Sequence, residues 1–138
     1  TISAWIKPES FGKTGWPRIV DNGSRSRGFS IFLDQKNYSL NYVIYGGNIA
    51  SSPANAISLN KWQHIAVVYD QQAGKVSFYV NGNLVGSSAY AVPPLDSSGS
   101  PMYLGIRGYD KKRGFDGSID EVRIYNRPLT GQEIELLQ

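Results

Sequence analysis

The sequence predicts an all-β fold, a two-sheet antiparallel jelly-roll sandwich with a short C-terminal helix. Three observations predict it. Apolar residues recur with a period of two through most of the chain. Turn formers, including 15 Gly and 7 Pro, break these runs into short segments. A single capping box precedes the last apolar residues. With 138 residues, 41% of them hydrophobic and 18% charged, the chain is one domain's worth of sequence, 1–138, able to bury a core.

The elements follow in order. Thr1-Ile2-Ser3-Ala4-Trp5-Ile6-Lys7 already reads as a strand, with no loop before it. A domain rarely begins inside a strand, so the expectation is a piece of a longer polypeptide. Phe29, Ile31 and Leu33 share one face of a second strand, and Tyr38, Leu40 and Tyr42 one face of a third, paired across a turn at 35–37. Ile65-Ala66-Val67-Val68-Tyr69 is nearly all apolar, as in a central strand covered on both faces. It leads through Asp70–Gly74 into Val76–Val80, and Asn81-Gly82 before Leu84-Val85 is a two-residue hairpin turn. Met102–Ile106 and Ile119–Tyr125 are further strands, the latter with Ile119, Glu121, Arg123 and Tyr125 on one face and Asp120, Val122 and Ile124 on the other. Pro93-Pro94 and Ser97-Ser98-Gly99-Ser100 mark a long loop. Thr130-Gly131-Gln132-Glu133 caps the helix, whose Ile134, Leu136 and Leu137 are expected to pack on the body.

The absence of cysteine removes disulfides, thiolate metal sites and cysteine nucleophiles together. The net charge is +3, and the basic residues are scattered apart from Arg25 with Arg27 and Lys111-Lys112-Arg113. A nucleic-acid surface is basic along a face, so no nucleic acid is expected as a partner. No apolar stretch approaches the roughly 18 residues that cross a membrane, so no membrane insertion is expected either.

Three segments carry a family resemblance: Ser3–Pro8, then Trp62–Asp70 followed by Tyr79-Val80-Asn81-Gly82, and finally Gly114–Thr130. In order and spacing they resemble the laminin-G-like, concanavalin A-like jelly-roll superfamily. The resemblance implies two curved sheets and an accessory module, secreted or on the cell surface, that binds glycans or proteins. Relatives carry a further segment ahead of the Ser-x-Trp-Ile-Lys-Pro strand, with a strand that pairs near the C-terminal one. The expectation is that a partner segment completes the sheet, or that the fold is a shortened version with an exposed edge.

Enzymes on this fold that cleave β-glucans place acid and base carboxylates at alternate positions of one strand, flanking the scissile bond. No two acidic residues stand at i, i+2 on a predicted strand, and Glu133 with Glu135 lie in the helix. No catalytic residue and no enzyme activity are therefore expected. His64, the only histidine, is expected as a hydrogen-bonded core residue. Asp120 is flanked by Ile119 and Val122 on a strand expected to pack, so its carboxylate needs a partner. The resemblance implies a structural Ca2+ with Asp120 as a ligand, the remaining oxygens coming from the N-terminal segment of relatives. The alternative is a salt bridge from Asp120 to a nearby Arg. Asp116-Gly117 and Asn22-Gly23-Ser24 read as turns.

Sugar binding requires an aromatic face for pyranose C–H surfaces and planar polar groups for hydroxyl pairs. Trp5 and Trp62 fall in strand motifs and read as core, whereas Trp16 lies in a loop with Arg18, Asn22, Arg25 and Arg27 close by in sequence. Arg107-Gly108-Tyr109-Asp110 ends another strand, and Tyr45 ends the strand 41–45 on the face opposite the apolar one. Trp16, Tyr45, Arg107 and Tyr109 are accordingly the candidate ligand surface, the alternative being loop aromatics packed on strand ends. The functional expectation is a non-catalytic, lectin-like carbohydrate-binding module whose partners are a polysaccharide or glycan and other domains of the parent protein. The rival is a structural or protein-interaction domain in adhesion.

Overall fold

The computed structural model describes residues 1–12, 15–23, 27–92 and 99–138. Pro93, Pro94, Ser97 and Ser98 of the expected loop, Ser24 of the expected turn, and Arg25 lie outside them. In chain order the strands are β1 (Ile2–Ser10), β2 (Arg18–Asp21), β3 (Phe29–Asp34), β4 (Ser39–Ile44), β5 (Ile49–Ser51), β6 (Gln63–Asp70), β7 (Lys75–Val80), β8 (Asn83–Ala89), β9 (Tyr103–Leu104) and β10 (Asp116–Ile124), followed by α1 (Gly131–Glu135). They form two five-stranded sheets, β10-β1-β6-β7-β8 and β5-β4-β3-β2-β9, antiparallel throughout. The jelly-roll sandwich predicted from the alternation is the fold.

Alternation places the core. Ile31 and Leu33 of β3, Leu40, Tyr42 and Ile44 of β4, and Ile65, Val67, Val76 and Phe78 of β6 and β7 meet in one buried cluster between the sheets. The Asn81-Gly82 turn has φ of 47° and 71°, the double positive φ that matches the twist of a two-residue hairpin. At α1, Thr130 accepts from Glu133 N–H while the Glu133 carboxylate accepts from Thr130 N–H, the complete capping box. Ile134 is fully buried against Ala66, Val68 and Leu129 on the outer face of β6, which explains why β6 is apolar on both faces. Leu136, expected to pack, is instead 85% exposed.

Several expectations change where the backbone departs from regular strand. Between the pairs Ser3↔Arg123 and Trp5↔Asp120, β10 advances three residues while β1 advances two. Glu121 takes the extra place at φ 50°. This bulge resets the phase, so Ile119 and Val122, expected on opposite faces, both pack on the core, and Asp120 is exposed. Asp116 and Gly117 are not a turn but the start of β10, paired with Ser10 and Pro8. The expected strand 102–106 shrinks to Tyr103–Leu104, because Gly105 turns at φ 71° and donates to Ile19 O. Tyr38 sits in the preceding turn at φ 57°, edge-on to Phe11, rather than in β4. Trp62 is 47% exposed and Trp5 half-buried, so neither tryptophan is core. His64 is buried as expected, but its Nδ1 has no hydrogen-bond partner, so the expected bonding is not made there.

Candidate functional site

A bulge also builds the outer face of the β5-β4-β3-β2-β9 sheet. From Arg18↔Phe32 to Val20↔Ile31, β2 carries one residue more than β3. Ile19 and Val20 therefore both enter the core, and Arg18 and Asp21 come to the same side, with Arg18 Nε 3.8 Å from Asp21 Oδ1. Alternation is lost over these four residues, which is why neither β2 nor this pair is visible in the sequence pattern.

Asp21 is fully buried and organises what surrounds it. Tyr45 Oη donates to its Oδ1 at 2.8 Å, and the Gly108 N–H donates to Oδ2 at 2.8 Å. The Tyr45 ring lies close against Gly23, where a Cβ would stand 2.0 Å from ring carbon Cε2. Burial first, and then the hydrogen bond to Asp21, push the Tyr45 phenol above its ordinary pKa. Arg18, only 5% exposed, lays its guanidinium 4.3 Å over the Phe32 ring and donates from Nη1 to the Trp16 carbonyl at 3.1 Å.

The 107–113 loop closes the other side. Arg107 N–H donates to Lys112 O, and Lys111 N–H to Arg107 O, folding the loop on itself. Arg107 binds both oxygens of Asp110, with Nε to Oδ1 at 2.9 Å, and this pairing holds the Asp110 carboxyl far below the usual carboxylate range. The same guanidinium lies 4.6 Å over Tyr109. Arg113 stacks its guanidinium 4.5 Å over the Trp16 indole. Trp16 and Arg113 both hold positive φ, 55° and 58°, a conformation that costs a bulky L-residue roughly 1–2 kcal/mol.

Trp16, Arg18, Tyr45, Ile49, Arg107 and Arg113, with Phe32 and Val43 of the sheet, line a hollow of about 260 Å³. Three residues expected from sequence, Trp16, Tyr45 and Arg107, thus meet from three separate segments. Tyr109 stands beside them, 41% exposed under Arg107. Sequence reasoning missed Asp21 and Arg113. The first is hidden by the β2 bulge; the second sits in a basic run that reads as solvated loop charge.

A second hollow, of about 500 Å³, lies on the other sheet between Trp5, Trp62, Asp120, Glu121, Arg123 and Leu137. Asp120 accepts from the Glu121 N–H at 2.8 Å and is otherwise open to solvent, so the premise of a buried carboxylate in need of a partner does not hold. Arg123 pairs with Glu121, not Asp120. Among the described residues no three His, Cys, Asp or Glu side chains gather as a metal site, so carboxylates alone do not complete the six to eight oxygens of a calcium cage around Asp120.

The Laminin_G_3 family model, described as the concanavalin A-like lectin/glucanases superfamily, matches residues 1–135. The pentraxin-related protein PTX3 of Mus musculus is 24% identical over 151 residues, covering 94% of this chain and 39% of its own length. Among solved structures, the CBM40 of the Ruminococcus gnavus IT-sialidase bound to α2,3-sialyllactose is similar at a TM-score of 0.79 and 16% identity, over 99% of this chain and 80% of that one. Domain 4 of the extracellular arabinanase AbnA from Geobacillus stearothermophilus, in complex with arabinotriose, is similar at a TM-score of 0.69 and 25% identity, over 99% of this chain and 64% of that one. The chain spans well under half the length of the curated relatives it matches.

Proposed function

The chain belongs to the concanavalin A-like lectin/glucanases superfamily, and from that premise we propose that it is a non-catalytic, lectin-like carbohydrate-binding module of a larger secreted or surface protein. The observation that carries the reading is the convergence of Trp16, Tyr45 and Arg107 on one hollow of the β5-β4-β3-β2-β9 sheet. Trp16, 42% exposed, offers an indole edge and face for sugar C–H groups, and the guanidiniums offer planar donors for hydroxyl pairs. Chemistry on a glycosidic bond needs a free acid and a free base. Of the carboxylates here, Asp21 is buried under two donors beside the Arg18 guanidinium and Asp110 is clamped by Arg107, so both serve to fix the site's shape. Relatives in complex with sialyllactose and arabinotriose support a sugar ligand. Binding of this kind acts by holding attached domains close to a polysaccharide, through effective concentration.

A glycan and polysaccharide array tests it, with Trp16→Ala and Trp62→Ala beside the unaltered protein. Selective binding that Trp16→Ala lowers at least tenfold and Trp62→Ala leaves intact is the expected result. Binding lost with Trp62 and kept without Trp16 moves the site to the other sheet. Silence from folded protein over the whole array overturns the sugar reading in favour of a protein-interaction domain.

A further inference from the structure

We propose that the ligand of the Trp16 hollow is an anionic sugar, engaged through a carboxylate by the guanidinium of Arg113; this deepens the carbohydrate-binding reading and rests on it.

The argument is one of charge. Three guanidiniums, Arg18, Arg107 and Arg113, line the hollow. Two carboxylates answer them: Asp21 lies beside Arg18, and Asp110 is held by both of its oxygens on Arg107. Among the described residues no carboxylate forms an ion pair with Arg113, and Asp110, held on Arg107, acts on it only electrostatically. Its guanidinium rests on the Trp16 indole, and its Nη1 is buried without a hydrogen-bond acceptor. Arg18 Nε is likewise buried without an acceptor, its 3.8 Å approach to Asp21 being too long for a hydrogen bond. Unmade hydrogen bonds on buried donors are rare and costly in folded proteins, and two on neighbouring guanidiniums at one hollow need a reason. Burial, followed by repulsion from Arg107 and Arg18, lowers the pKa of Arg113. An anion in the hollow relieves that repulsion.

The backbone points the same way. Trp16 and Arg113, the stacked pair at the rim, are both bulky residues held at positive φ, and such strain persists where the surrounding structure enforces it, commonly at ligand clamps. The planar fork of a guanidinium matches the two oxygens of a carboxylate, and the part of the Trp16 indole left exposed beside it supplies apolar surface for the sugar ring. Among sugars the carboxylate comes from two sources: a terminal sialic acid or the uronic acids of a polysaccharide.

Pairs of ligands differing only in the charged group form the test, measured by calorimetry on the 138-residue chain. Sialyllactose against lactose reads the first source; polygalacturonate against its methyl ester reads the second. Preference for the acid of either pair by about tenfold or more is expected, weakening several-fold between 50 and 500 mM NaCl. Arg113→Gln is expected to erase the preference, and Arg113→Lys to restore it only in part, because the point charge lacks the fork. The salt series on unaltered protein needs no variant to fold. Neutral glycans bound through Trp16 with no gain from a carboxylate overturn the anionic ligand and leave the sugar module standing. Preference for sulfated glycans over both acids overturns the carboxylate. Failure to bind any glycan in the panel removes the carbohydrate reading itself.

Discussion

The Tyr45 phenol and the Asp21 carboxylate meet at 2.8 Å across 24 residues of sequence, joining the end of β4 to a bulged strand. Tyr45→Phe leaves a buried acceptor short of a donor and is expected to cost about 1–3 kcal/mol. Asp21→Ala also strips Arg18 of its counter-charge and is expected to cost about 3–5 kcal/mol. Urea denaturation of both variants checks the order. Equal, negligible losses would mean that Asp21 does not organise the site.

Gly23 is where the Tyr45 ring needs room. A methyl group there would lie 2.0 Å from Cε2 and 2.6 Å from Cδ2 of the ring. Gly23→Ala is expected to displace Tyr45 and lower glycan affinity at least tenfold, with the far sheet's hairpin unaffected. Calorimetric affinity, together with amide exchange at the 81–82 turn, separates this from global unfolding.

Glu121 holds φ 50° at the extra position of the β10 bulge. Glycine takes that conformation freely, so Glu121→Gly is expected to be neutral or stabilising by up to about 1 kcal/mol, despite losing the exposed pair with Arg123. Glu121→Val is expected to destabilise, since a β-branched residue is a true outlier there. A thermal melt in which valine equals glycine would show that the bulge is not under strain.

His64 supplies a pH dependence whose sign follows from its surroundings. Burial first, and then the nearby Arg123, lower its pKa from the ordinary 6.5. The native state favours the neutral ring, and the unfolded chain takes the proton first as pH falls. Stability from this group is therefore full above about pH 6.5 and declines as pH drops toward the folded pKa. Denaturation from pH 7.5 to 5 is expected to show that decline, and His64→Gln to flatten it.

Calcium is expected to leave the melting temperature unchanged, since the described residues around Asp120 offer one solvent-exposed carboxylate beside a Glu121 already paired with Arg123. A rise in Tm with millimolar calcium that vanishes in Asp120→Ala would contradict this.

What the sequence determined by itself is the part of the protein governed by local rules. Period-two alternation gave the strands that face the core, the Asn81-Gly82 pair gave its hairpin, and Thr130 with Glu133 gave the helix start. Each of these is a contest between neighbours a few residues apart. The chemistry of Trp16, Tyr45, Arg107 and Tyr109 was legible as residue types without an obvious core role. Only the tertiary structure decided that Trp16, Tyr45 and Arg107 surround one hollow, that Asp21 lies beneath it, and that Arg113 stacks on Trp16. It also decided, through extra residues in β2 and β10, which side chains face outward. A bulge shifts every following side chain by one face, and its cause is the pairing of a strand with a distant partner. A pattern read along the chain does not contain that partner.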